Sequence, residues 1–258
     1  MDLELRDKVA VVTGASRGIG LAVTRALVEE GVRVIAGSRT STRELEELPG
    51  VRVVRVDLSA ETGPADLVTA ALEHGSLDIL VNNVGAVTPR LGGFLEVTDD
   101  QWTRSLTLNL MAAVRATRAA LPAMIEAGRG AIVTVSSVNA FLPDPLVIDY
   151  GVAKAALTNF SKALSKEVGA HGIRVNTVSP GPVTTDLWLG DQGMAATVGA
   201  AKDADPAEVA EGVATQSETG RFTHPQEVAD LVVFLASDRA GNVTGADHVI
   251  DGGLTKTV

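Results

Sequence analysis

The chain contains no cysteine. Disulfides, thiolate nucleophiles and cysteine-ligated metals are therefore excluded. Aromatic residues are scarce, at 3%, so small aliphatic side chains have to fill the core. Ala, Val and Leu suit parallel strands buried on both faces. An excess of positive charge is also missing. The formal net charge is −10, which argues against a DNA or RNA binder, because such a protein needs a basic patch to displace counterions. It argues against docking on anionic membranes as well. No run of about 18 apolar residues occurs, and Met1 to Lys8 is too charged for a secretory signal. A cytoplasmic location is expected. His74, His171, His224 and His248 lack metal-ligand spacing, so no metal is expected. No Gly-x-Ser-x-Gly nucleophile elbow is present.

What is present is an alternation of short β-rich runs and longer helical stretches. Val9–Val12, Val32–Ala36, Val51–Val56, Leu77–Val81, Ala131–Val135 and Ile173–Val178 read as strands. Helical stretches run from Gly18 to Glu30, from about Asp99 to Ala127 and from Tyr150 to Val168. This alternation implies right-handed βαβ crossovers. The fold class expected is α/β: a Rossmann-type doubly wound parallel sheet with helices on both faces. With no linker, repeat or low-complexity segment, one domain spanning residues 1–258 is the simplest organisation. The stretch from Asp186 to Phe222 carries no strand pattern. Its length and position suggest a substrate lid, with a short helix starting at Asp205-Pro206.

The first strand runs into Thr13-Gly14-Ala15-Ser16-Arg17-Gly18-Ile19-Gly20. Glycines permit a tight strand-to-helix turn and let backbone N–H groups approach a pyrophosphate at the helix N-terminus. The turn sits at the start of the chain, where a dinucleotide fold places it. Enzymes using NAD usually end the second strand with an acid on the ribose 2′-OH. Here that end reads Ala36-Gly37-Ser38-Arg39. An acid would repel a 2′-phosphate, whereas Arg39 can pair with one. The cofactor expected is NADP(H), with NAD(H) as the second choice.

Tyr150 and Lys154 are four residues apart on a helical stretch, which puts both on one face. A free phenol titrates near pH 10. A nearby ammonium, helped by a positive nicotinamide ring, would favour the phenolate. A tyrosine so placed can give a proton to a carbonyl oxygen or take one from an alcohol. Tyr150 is the sole tyrosine of the chain.

The Thr-Gly-x-x-x-Gly-x-Gly spacing, followed by Tyr-x-x-x-Lys, resembles the short-chain dehydrogenase/reductase family over nearly the whole chain. Asp57-Leu58 matches the pair that contacts adenine in the family. Asn82-Asn83-Val84-Gly85 matches the family's turn after the fourth strand, with Val84 replacing the usual alanine. Pro180-Gly181 matches the Pro-Gly after the sixth strand, and Val183 and Thr184 fall where the family meets the nicotinamide amide. Family members that use NADP carry a basic residue at the position of Arg17. The resemblance implies that Gly14, Ser16, Arg17, Gly18, Ile19, Gly20, Ser38, Arg39, Asp57, Leu58, Asn83, Val84, Gly85, Tyr150, Lys154, Pro180, Gly181, Val183 and Thr184 bind the cofactor. It also implies Asn109, Ser137, Tyr150 and Lys154 as the catalytic set. In the family the serine stabilises charge on the substrate oxygen. The asparagine holds a water that links the lysine to solvent. Ser136 is the structural neighbour.

The activity implied is hydride transfer between NADP(H) and a ketone, aldehyde or secondary alcohol. One alternative is a 3-oxoacyl-(acyl-carrier-protein) reductase, for which Arg129 and Arg174 are candidate receivers of the acidic carrier. A non-catalytic dinucleotide-binding regulator is the alternative from another class. Leu187, Trp188, Leu189 and Met194 are candidates for an apolar wall of the lid, with Val138, Phe141, Leu142 and Leu146 opposite. The chain's ending from Thr244 to Gly253 resembles the family's, which implies a homo-oligomer, either dimer or tetramer.

Overall fold

A computed structural model describes residues 2–257. Seven strands form one parallel sheet: β1 (Val9–Thr13), β2 (Arg33–Ser38), β3 (Val51–Arg55), β4 (Ile79–Asn82), β5 (Gly130–Val135), β6 (Ile173–Pro180) and β7 (Asp247–Ile250). Their order is β3-β2-β1-β4-β5-β6-β7, and every neighbouring pair runs parallel. The order reverses between β1 and β4. In an open sheet of this kind the crevice beyond the strand C-termini at that reversal takes ligands. The doubly wound fold expected from the alternation is present, with β7 as an edge strand beyond the six read as strands.

The helices are α1 (Gly18–Glu29), α2 (Arg43–Glu46), α3 (Gly63–Leu72), α4 (Asp99–Leu106), α5 (Ala112–Ala127), α6 (Ile148–Val168), α7 (Asp186–Leu189), α8 (Met194–Lys202), α9 (Pro206–Ala214) and α10 (Pro225–Ala236). Side chains alternate across each strand, so the sheet supports two cores. Ala10, Val12, Val34 and Val133 pack with α1 and α10 on one face. Val9, Val11, Ile35 and Ile132 pack with α3, α5 and α6 on the other. These strand residues are small and branched because both faces are covered.

The helical stretch read from Asp99 to Ala127 is not continuous. A π-helical turn, Thr107–Met111, separates α4 from α5. Thr98 starts α4 as a capping box, accepting from the Gln101 N–H while the Gln101 side chain accepts from the Thr98 N–H. The helix read at Asp205-Pro206 is α9, capped by the Asp205 carboxylate. The stretch from 186 to 222 thus holds three short helices. An isolated parallel bridge between Val183 and Thr223 closes its two ends. No helix among the described residues is long and apolar enough to cross a membrane.

Candidate active site

The C-terminal ends of β1 and β4 are joined through one hydroxyl. Thr13 Oγ1 accepts from the N–H groups of Asn83, at 2.9 Å, and Val84, at 3.1 Å, and donates to the Val81 carbonyl. Asn83 Nδ2 donates back to the carbonyls of Thr13 and Gly14. The glycine turn and the Asn82–Gly85 turn therefore form one rigid floor. Gly20 has no space for a side chain, because an added Cβ would lie 2.2 Å from the Gly14 carbonyl oxygen. Gly14 itself has φ +69°. Val84 packs against the core beneath the sheet. Its extra bulk relative to alanine faces apolar neighbours.

The glycine loop lies opposite the loop after β6. A Cβ on Gly18 would stand 3.2 Å from Thr185 Cγ2. Thr184 is tied to the far side of that loop, its N–H donating to the Thr223 carbonyl at 2.9 Å. Ile19, Pro180, Gly181 and Val183 belong to these two facing segments. Ser16 connects to the end of β2, since Thr42 Oγ1 donates to the Ser16 carbonyl at 3.1 Å. Arg17 and Arg39, both exposed, thus project from two loops stitched together. Ser38 is buried and donates to the Thr40 carbonyl. The Asp57 carboxyl is held below its ordinary range by hydrogen bonds from Ser59, with the charge of Arg39 adding to the effect. Arg39 and Asp57 are therefore neighbours, and Leu58 is buried beside them. These residues fit a dinucleotide: a loop with no room for side chains under a pyrophosphate, and free guanidinium groups at the ribose end.

The other half of the site lies beyond β4, β5 and β6. Lys154 is 3% exposed and its Nζ donates to the Val135 carbonyl at 2.8 Å. Burial pushes it down to about 8. A Cβ on Gly85 would sit 2.8 Å from Asn109 Oδ1 and 3.6 Å from Lys154 Nζ, so Gly85, Asn109 and Lys154 converge. Asn109 lies within the π-helical turn, a kind of irregularity that recurs at functional sites. Its side chain is fully engaged: Oδ1 accepts from the Ala86 N–H at 3.0 Å, and Nδ2 donates to the carbonyls of Ala86 and Ser105.

Ser137 caps a short turn, and its hydroxyl accepts from the Asn139 N–H at 3.2 Å. Ser136 points elsewhere. It is buried, donates to the Lys154 carbonyl and lies 2.7 Å from Thr158 Oγ1, anchoring α6 to β5.

Tyr150 departs from expectation in one respect. The phenol is pushed above its ordinary value, because burial disfavours the phenolate more than hydrogen bonding with Ser137 favours it. Lys154 Nζ lies 5.6 Å from the ring centroid and gives one of its three N–H donors to the Val135 carbonyl. In the protein alone Tyr150 is therefore a protonated donor, with no lowering of its pKa by the lysine.

The apolar wall expected of the lid is only partly there. Trp188 stacks edge-to-face on buried Phe222 at 5.4 Å, joining the two ends of the segment, and Met194 is buried. Leu187 and Leu189 remain exposed, as do Phe141 and Leu142 after β5. Val138 is buried and Leu146 half-buried.

The two candidate carrier-receiving arginines are both engaged. Arg174 donates to the carbonyls of Leu235, Ala236 and Ser237 at the end of α10, and Arg129 pairs with Asp78. They stand at the N-terminal ends of β6 and β5, across the sheet from Tyr150. No group of metal-ligating side chains occurs among the described residues.

Asn139, Thr42, Arg90 and Asp149 have no place in the sequence reading, and Thr13 enters it only as the first residue of the glycine motif, where it was legible from position. Arg90 and Asp149 are 59 residues apart and carry no local signal.

A family model described as enoyl-(acyl carrier protein) reductase matches residues 14–255. The 3-oxoacyl-(acyl-carrier-protein) reductase FabG of Vibrio harveyi is 36% identical over 259 residues, covering 98% of this chain and 99% of the relative. Dehydrogenase/reductase SDR family member 4 of Homo sapiens is 33% identical over 261 residues, covering 96% of this chain and 88% of the relative. Among solved structures, L-sorbose reductase from Gluconobacter frateurii, complexed with NADPH and L-sorbose, superposes with a TM-score of 0.91 at 36% identity, covering 100% of both chains.

Proposed function

The chain belongs to the short-chain dehydrogenase/reductase family, and from that premise we propose that it is an NADP(H)-dependent reductase of ketones or aldehydes, reversible toward secondary alcohols. Membership makes it an NAD(P)-dependent oxidoreductase acting on CH–OH donors. The observation that carries the finer reading is the convergence of Ser137, Tyr150, Lys154 and Asn109 beside the glycine turn at the sheet's reversal point.

The nicotinamide, when bound, supplies or accepts the hydride. The chain's own residues do the rest. The Ser137 hydroxyl holds the substrate oxygen and stabilises the charge that develops there. Tyr150, protonated at neutral pH, gives its proton to that oxygen as the carbonyl carbon is reduced. Lys154, with its Nζ beside Gly85, sits where it can feed charge and a proton toward the emptied phenol. Asn109 fixes Ala86 and so shapes the opening beside Lys154.

NADP(H) over NAD(H) is supported by Arg17 and Arg39 with no acid at the end of β2. The solved relative complexed with NADPH adds weight. A substrate borne on an acyl carrier has the support of relatives with that name. It lacks a free basic patch at Arg129 and Arg174, so we favour a small free carbonyl compound. The stretch at 186–222 acts as its lid in this reading. A homo-oligomer is also part of the proposal, resting on an edge strand, β7, whose Val249 is 46% exposed.

The test is a panel of ketones, aldoses and alcohols assayed with NADPH and NADH in parallel, repeated with Tyr150→Phe. The variant is expected to bind NADPH as wild type does and to lose nearly all turnover. Full activity in the variant would sink the mechanism.

A further inference from the structure

Arg90 and Asp149 form a buried ion pair beside Tyr150. Arg90 Nε donates to Asp149 Oδ1 at 3.0 Å and Nη2 to Oδ2 at 2.5 Å, a two-pronged geometry. Their side chains are 10% and 3% exposed. Burial pushes the Asp149 carboxyl up, but hydrogen bonds and charge from Arg90, with a further bond from Ser105, outweigh it and leave the group below its ordinary range. Both partners are charged at neutral pH.

The pair joins two segments that face the reaction site. Arg90 lies on the loop after β4, five residues beyond Gly85. Asp149 lies in the first turn of α6, immediately before Tyr150. A backbone bond runs parallel to the ion pair, from the Arg90 N–H to the Leu146 carbonyl at 2.7 Å. The loop is held at its other end too, because Ala86 exchanges two hydrogen bonds with Asn109. Asn109 Nδ2 also donates to the Ser105 carbonyl at 3.0 Å, tying the loop to the end of α4.

Stability alone does not account for such a pair. Taking two charges out of water offsets most of their attraction, and apolar residues of similar volume often serve as well or better. What a two-pronged ion pair adds is direction, since it accepts one relative orientation of its partners. We infer that Arg90 and Asp149 are positioning residues that lock the substrate-facing loop 86–90 and the Tyr150 phenol into one unit. The inference rests on the reading of Tyr150 as the proton donor, and the experiment separates the two.

Arg90→Gln, Asp149→Asn and Arg90→Lys are compared with wild type as full chains. The first measurement needs no turnover. Hydrogen exchange of residues 86–93 and 145–150 is expected to quicken together, by about tenfold or more, in Arg90→Gln and Asp149→Asn, while residues 14–20 stay protected. The second uses the best carbonyl of the panel. kcat is expected to fall about tenfold or more, equivalent to about 1.4 kcal/mol, with the NADPH Kd within about twofold of wild type, and Arg90→Lys is expected to recover part of the loss. A merely structural pair would lower the melting temperature and leave kcat per folded enzyme unchanged. That result, or loosening of one segment without the other, overturns the inference. If Arg90→Gln does not fold, Asp149→Asn and Arg90→Lys decide it by the same two measurements. Should Tyr150→Phe prove fully active, the donor reading fails while the exchange measurement still decides whether the two segments are locked.

Discussion

Lys154 and Tyr150 share a face of α6, yet the ammonium lies over the ring at 5.6 Å from its centroid and donates to the Val135 carbonyl, not to the phenol oxygen. The two groups are shifted in opposite directions by the same burial. The lysine falls to about 8 and the tyrosine rises above its ordinary value. Each is thereby biased toward its neutral form when nothing is bound.

This bias has a thermodynamic consequence. The ordinary lysine value is 10.5. Between about 8 and 10.5 the unfolded chain holds a proton on this lysine that the folded chain has lost, so stability rises with pH across that window. The gain amounts to about 3 kcal/mol at most. Tyr150 has the opposite sign, because its folded state keeps the proton longer, and its contribution falls once pH passes about 10. Urea unfolding of the cofactor-free protein at about pH 7.5 and about pH 9.5 is expected to show the rise. Lys154→Met is expected to flatten it. A variant with the same slope as wild type would refute the assignment to Lys154.

The adjacent serines after β5 separate chemistry from support. Ser137 faces Tyr150, and Ser137→Ala is expected to lower kcat by about 100-fold or more while the NADPH Kd holds. Ser136 is buried between α6 and β5. Ser136→Ala is expected to cost about 1–2 kcal/mol of stability and to retain most turnover per folded molecule. Thermal melts and steady-state rates on both variants check this, and interchanged phenotypes would reverse the two roles.

Much of this was legible beforehand, for a physical reason. Runs such as Val9–Val12 are apolar on both faces because both faces are covered, and the glycine turn demands backbone conformations and spacing that other residues resist. The Tyr150–Lys154 pair is legible because four residues is one helical turn. Other features depend on contacts between distant parts of the chain. The π-helical turn at Asn109 packs against α6, and local propensity is silent about it. The direction of the tyrosine shift depends on burial, which residue type does not report. Trp188 reads as a wall residue until Phe222 is found against it.

Two glycines make opposite predictions. Gly212 lies in α9, is exposed and has open space where a Cβ would go. Gly212→Ala is expected to stabilise the protein by about 0.5–1 kcal/mol, through the lower entropy of the unfolded chain. Gly20→Ala would drive a Cβ into the Gly14 carbonyl, which is backbone and cannot swing aside. It is expected to lower the melting temperature and abolish NADPH binding together. A Gly20→Ala protein that binds NADPH normally would show that the glycine turn has slack its geometry denies.

The proposed preference for NADP(H) draws on a connection between two loops, and so is expected to weaken without a change in either arginine. Arg39→Ala removes a charge-assisted contact of about 1.5–3 kcal/mol, so NADPH affinity is expected to drop about 10- to 100-fold while NADH affinity stays within about twofold. Thr42 carries no charge and is exposed, but its hydroxyl donates to the Ser16 carbonyl and so ties the loop after β2, which bears Arg39, to the glycine loop, which bears Arg17. Thr42→Val deletes that bond, worth about 1 kcal/mol, together with the N-cap bond from the Leu45 N–H that starts α2, and is expected to weaken NADPH about fivefold with little change for NADH. Fluorescence titration of both nucleotides against wild type and the two variants reads each ratio directly. Equal losses for NADPH and NADH in Arg39→Ala would mean that the guanidinium supports the loop without meeting a 2′-phosphate. A selective loss in both variants would make the Thr42 bond part of what distinguishes the two nucleotides.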